Sequence, residues 1–128
     1  MNYGNLLNMK NGVVNINIFN ALDDIRDKHN IRAGEWAKVA WGRKIFQSRL
    51  SELRSGKRPF TYKKCVILTG ALRQIIGDKN MAKALLELIK KSDQVDERMI
   101  LYCLAIPDAD KPATEMYLKA VVERAAKD

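Results

Sequence analysis

One histidine, His29, and two cysteines, Cys65 and Cys103, are the only imidazole and thiol groups in this 128-residue chain. A zinc site would need carboxylates for most of its ligands, and a Ser/His or Cys/His catalytic set has one candidate base at most. The two cysteines lie far apart, each inside an apolar helical pattern, which suits reduced core thiols rather than a disulfide framework. Proline is scarce as well: three in all, at 59, 107 and 112, and each falls at an expected helix end or start. No apolar run approaches the roughly 20 residues that span a bilayer, and Met1 to Val14 lacks the basic start and apolar stretch of a secretion signal. A cytoplasmic protein with no membrane partner is the expectation. Segments with a two-residue apolar alternation bounded by turns are also missing, so no sheet is expected.

Positive charge is abundant and confined to one place. Arg32 to Lys64 holds ten Lys or Arg (Arg32, Lys38, Arg43, Lys44, Arg49, Arg54, Lys57, Arg58, Lys63, Lys64) against Glu35 and Glu52, while the other 95 residues carry thirteen of each sign. The net charge of +8 therefore belongs to a 33-residue window. Trp36, Val39, Ala40, Ile45, Phe46, Leu50, Leu53, Phe60, Val66 and Leu68 recur through or just beyond that window at helical spacing. The segment is thus patterned to fold, unlike a disordered basic tail, and its charge suits a polyanion.

Apolar periodicity and turn residues predict seven helices. These are Ile16 to Lys28, Ala33 to Trp41, about Lys44 to Arg54, Tyr62 to Ile76, Met81 to Lys91, Val95 to Ala105, and about 112 or 114 to 126. Asn15 or Asn17 would cap the first, Thr61 the fourth, and Gly42, Gly56 and Gly77 supply stops. The expected fold is an all-α helical bundle. It divides into a flexible arm (residues 1–14), a basic helical domain (15–78) and a further helical region (79–128) expected to serve dimerisation or partner binding.

Glu35-Trp-Ala-Lys-Val-Ala-Trp-Gly42, followed by Leu50-Ser-Glu-Leu-Arg-Ser-Gly-Lys-Arg-Pro59, resembles the helix-turn-helix of the lambda-repressor-like (Cro/repressor, XRE-type) family. Ala37 stands at its small-residue position; Leu50, Ser51, Leu53, Gly56, Lys57 and Arg58 match the pattern that ends its recognition helix. The resemblance covers about Ile16 to Gly77. The turn between Ala37 and Leu50 is about two residues longer than the family's, and Arg54 replaces a frequent Glu. An ungapped match would use Ala40 instead, but it would place Arg43 in an apolar slot. The resemblance implies a sequence-specific, double-stranded-DNA-binding transcriptional regulator, most like a phage or prophage repressor.

The residues assign roles within that frame. With Phe46, Leu50 and Leu53 anchoring the third helix, Lys44, Gln47, Ser48 and Ser51 fall opposite or beside the stripe, with Arg43 just before. Gln pairs bidentately with adenine, Arg or Lys with guanine, and Ser with either, so these five are the expected base readers. Arg49, Arg54, Lys57, Arg58, Tyr62, Lys63 and Lys64 are the expected phosphate contacts. Ser51 could instead pack in a helix crossing, Tyr62 could be a core aromatic, and Arg49 could pair with Glu52 or Glu35. Trp36 and Trp41 read as core or rim aromatics. Ile100, Leu101, Leu104, Tyr117 and Val121 exceed what one core stripe needs and are assigned to a homodimer interface. An antitoxin-like or adaptor protein, whose second half binds a toxin or antirepressor, is the alternative. No enzyme activity, cofactor or metal is expected.

Overall fold

The computed structural model describes residues 12–105. The predicted arm (all but 12–14), the seventh helix, Tyr117 and Val121 lie outside the described residues. Those described form six helices and no strand: α1 (Ile16–Lys28), α2 (Ala33–Trp41), α3 (Gln47–Ser55), α4 (Tyr62–Ile76), α5 (Asp78–Lys91) and α6 (Val95–Ala105). A 3₁₀ turn, Lys44–Phe46, leads into α3. The chain divides into two compact units, one from Asn11 to Ile76 and one that begins at Gly77.

In the first unit, local chemistry sets each helix end. Asn15 Oδ1 accepts the Asn17 N–H at 2.9 Å, as an N-cap should. At the other end of α1, Arg26 donates to Asp23 Oδ1 at 2.7 Å and to the Ile31 carbonyl at 2.6 Å, clamping the turn into α2. His29 closes α1, its ring Nδ1 bonded to the Ile25 carbonyl oxygen at 3.0 Å. α2 ends on Gly42 and α3 on Gly56, with φ of 91° and 81°, a left-handed backbone that costs glycine little. Thr61 Oγ1 caps α4 by accepting the Lys64 N–H at 3.3 Å.

These helices surround Phe19, Leu22, Trp36, Ala37, Leu50, Leu53, Leu68 and Leu72, all buried. Phe19 stacks on Trp36 with centroids 6.1 Å apart and meets Phe60 edge-on at 5.5 Å. Trp36 is fully buried, and its indole N–H donates to the Leu68 carbonyl at 3.0 Å, fastening α2 to α4. Residues 12–14 also belong to this unit. Val14 N–H donates to the Phe60 carbonyl at 2.7 Å and Tyr62 N–H to the Gly12 carbonyl at 3.0 Å, a single antiparallel bridge that buries Val14. Residues 12–14, expected in the arm, are therefore part of this unit.

The second unit is built on α5, whose Met81, Ala82, Leu85 and Ile89 are buried, and α6, in which Met99 through Leu104 are buried without a break. α5 begins at Asp78, three residues before the expected start, because Gly77 at φ 90° turns the chain directly into it. Ser92 opens the turn into α6 by accepting the Gln94 N–H at 3.3 Å. No described helix is long and apolar enough to cross a membrane.

Replacing Trp36 with Phe removes the buried hydrogen bond and part of the ring, and is expected to lower the unfolding free energy by about 1–3 kcal/mol in denaturant titration. Burial pushes the Cys65 thiol well up in pKa. The unfolded thiol ionises above about pH 8.5 while the folded one stays protonated, so stability is lost as pH rises. Relative to Cys65→Ala, the native chain should lose about 1.4 kcal/mol per pH unit above that point, measured by chemical unfolding.

Candidate nucleic-acid interface

α3 is short, and its two deepest anchors fix its orientation. Leu50 and Leu53 are buried; at about 100° per residue this directs Ser48 and Ser51 away from the core, with Gln47 on one flank and Arg49 on the other. Gln47, Ser48 and Ser51 are exposed, as are Arg43 and Lys44 in the extended residue and tight turn that precede them. Among the described residues none of these five side chains makes a hydrogen bond or ion pair. The expected helix start near Lys44 is a 3₁₀ turn, in which Phe46 N–H reaches the Arg43 carbonyl at 3.2 Å. Phe46 is consequently half-buried and sits above α3 rather than in its stripe.

One residue that sequence reasoning did not single out ties this face together. A Cβ on Gly34, in the first turn of α2, would lie 3.3 Å from Gln47 Oε1 and 3.8 Å from Lys44 Cβ and Cγ. The start of α2 thus abuts the start of α3, and Arg32, exposed and extended before α2, joins the exposed face. Its side chain does not cap α2, which leaves first-turn N–H groups of α2 without that partner. The signal in the sequence was a helix-initial Gly inside the basic window, which propensity alone disfavours.

The predicted phosphate contacts divide into two groups. Lys57 and Lys63 are exposed and, among the described residues, carry no partner. Lys64 Nζ donates to the Pro59 carbonyl at 2.8 Å, fixing the loop into α4 while leaving donors to spare. The others are committed within the unit. Arg54 donates to Asp23 Oδ2 at 3.1 Å, the same carboxylate that holds Arg26, and lies over the Phe19 ring. Arg58 pairs with Glu52. Arg49 pairs with neither Glu52 nor Glu35; its guanidinium sits 4.1 Å from the Phe46 centroid and 5.4 Å from that of Trp41. Tyr62 is buried, so its side chain belongs to the core, and the phosphate role expected of it is withdrawn. Trp41, Arg49, Leu53, Arg58 and Lys64 line a shallow depression beside α3.

Ile100, Leu101 and Leu104, expected at a dimer interface, are buried within the single chain. Burial there leaves them no free surface for a second copy. Groups of three or more His, Cys, Asp or Glu able to hold a metal ion are absent among the described residues. Comparison with protein-family models, curated proteins and solved structures finds no match.

Gly34→Ala is expected to keep the fold, because the atom in the way is the far end of an exposed Gln side chain. Thermal unfolding should show a gain of up to about 1 kcal/mol from the better helix former, at the cost of displacing Gln47.

Proposed function

We propose that this protein is a sequence-specific binder of double-stranded DNA that regulates transcription, with Ala33 to Ser55 acting as a helix-turn-helix of the lambda-repressor-like kind. The observation that carries the reading is the exposed set Arg43, Lys44, Gln47, Ser48 and Ser51, unpartnered among the described residues, on α3 and the turn that leads into it, within a window that contains the whole net charge. A major groove about 12 Å wide admits one α-helix, and side chains of these types match the donor and acceptor patterns of base edges there. Lys57, Lys63 and Lys64, the first turn of α2 and Arg32 would hold phosphates on either side and set the register.

A nine-residue helix with so few outward side chains reads only a few base pairs. Two copies, with recognition helices about 34 Å apart in successive grooves, would supply the specificity and affinity of an operator-binding repressor. The homodimer is therefore part of the proposal, with its interface outside Ile100, Leu101 and Leu104. Catalysis has no part in this reading.

Arg54 departs from the expected phosphate role in a useful way. By pairing with Asp23 it locks α3 to α1, so its charge serves the placement of the reading face rather than the contact itself.

Gln47→Ala should lose about 1–3 kcal/mol of discrimination at one or two base pairs, whereas Lys57→Ala should weaken all duplexes alike and flatten the salt dependence by about one unit. Both are measured by fluorescence-anisotropy titration on matched and scrambled duplexes across a salt series. Equal loss on both duplexes from Gln47→Ala would overturn the assignment of the reading face.

A further inference from the structure

The basic window is not the only organised positive charge in the chain. α5 is strongly amphipathic: Met81, Ala82, Leu85 and Ile89 are buried along one side. Counted around the helix at about 100° per residue, Lys79, Lys83 and Lys90 fall within roughly 40° of one another on the flank of that side. All three are exposed. At about 1.5 Å of rise per residue they form a line about 16 Å long.

The three lysines of the line are also unpaired among the described residues. Glu87 stands one turn from Lys83, Lys90 and Lys91, spacings at which helical ion pairs form. Yet no ion pair among the described residues involves any α5 lysine, and Lys79, Lys83 and Lys90 have no hydrogen-bond partner there. Asp78 lies on the buried side of the helix by the same count, away from the lysine line. Summed over the chain beyond the window the charges cancel, which hides a stripe visible only once α5 is wound into a helix.

We propose that Lys79, Lys83 and Lys90 form a second contact line for the sugar-phosphate backbone of duplex DNA, separate from the face on α3. The proposal rests on the DNA-binding reading above and extends it to the second unit. The chemistry is charge complementarity with a regularly spaced polyanion. Flexible ammonium groups at the ends of four-carbon stems act as point charges toward phosphates and read no sequence, so this line adds affinity without specificity. A protein partner with an acidic face is the competing occupant. It is disfavoured because the stripe offers no exposed apolar side chain in its midst to anchor one, Leu86 being half-buried.

The test uses the full chain and a duplex it binds, with affinity measured across a salt series. Lys79→Gln, Lys83→Gln and Lys90→Gln are combined in one variant, and Lys28→Gln with Lys91→Gln in another, both checked for native helicity and melting temperature. Glutamine keeps helix propensity while removing charge. Each lost phosphate contact removes about 0.9 from the slope of log K against log salt, so the triple variant should flatten it by about 2 to 3 while preference for one sequence over another stays within twofold. The double variant should change the slope by less than one unit. A triple variant with an unchanged slope, or a change no greater per charge than in the double variant, overturns the proposal and leaves the reading of α3 intact. A native chain that binds no duplex at any salt overturns both.

Discussion

The bond from the Trp36 indole to the Leu68 carbonyl, set inside the stack of Phe19 and Phe60, holds α2 on α4 and thereby decides where α3 can lie. A buried donor with one acceptor tolerates little sliding, because losing the partner would strand a polar group in the core. With α2 fixed, Ala37 presents no bulk, Gly34 lets the start of α3 approach, and Leu50 and Leu53 can reach the same core. The exposed face of α3 is therefore a consequence of packing on its opposite side. Five side chains that make no hydrogen bond or ion pair among the described residues are thus presented by the packing beneath them, an arrangement that suits the proposed recognition of base edges.

Charge in and next to the basic window is divided between groups committed within the unit and groups left exposed. Arg26 and Arg54 share Asp23, Arg58 takes Glu52, and Arg49 rests on Phe46 and Trp41. Exposed ion pairs of this kind stabilise by well under 1 kcal/mol each; their value here is geometric, since they orient the ends of α1 and α3 and the loop into α4. Lysines fill the complementary role. Among the described residues Lys44, Lys57 and Lys63 stay unpaired, and an ammonium on a flexible stem can follow a phosphate without disturbing the scaffold.

Much of the fold was legible in the sequence because periodicity, caps and stops agreed. α1, α2, α4 and α6 fall on their predicted bounds, with Asn15, Gly42, Gly56 and Thr61 acting as their chemistry suggests. The 3₁₀ turn before α3 was not legible: Phe46 and Leu50 are spaced for one continuous helix, and only the geometry after Gly42 shows the tighter winding. The exposed base-reading candidates follow from simple helical counting once Leu50 and Leu53 are known to be buried. Tyr62, Arg49 and Arg54 were ambiguous for a different reason. A Tyr or Arg near a helix end reads the same whether it packs or protrudes; the Phe46 and Trp41 rings under Arg49 are near it in sequence, but the Asp23 carboxylate that claims Arg54 is 31 residues away. The apolar excess in α6 was visible, but periodicity alone could not tell a buried helix from one that awaits a second copy.

The central claim is that α3 reads duplex DNA by sequence, and selection of bound genomic duplex fragments at roughly physiological salt, followed by sequencing, tests it most directly. The account predicts recovery of a short common motif, repeated in inverted orientation with half-sites about one helical turn or a small multiple apart. Recovery of unrelated fragments whose binding vanishes with salt would contradict it, reducing the exposed face of α3 to a general polyanion-binding surface.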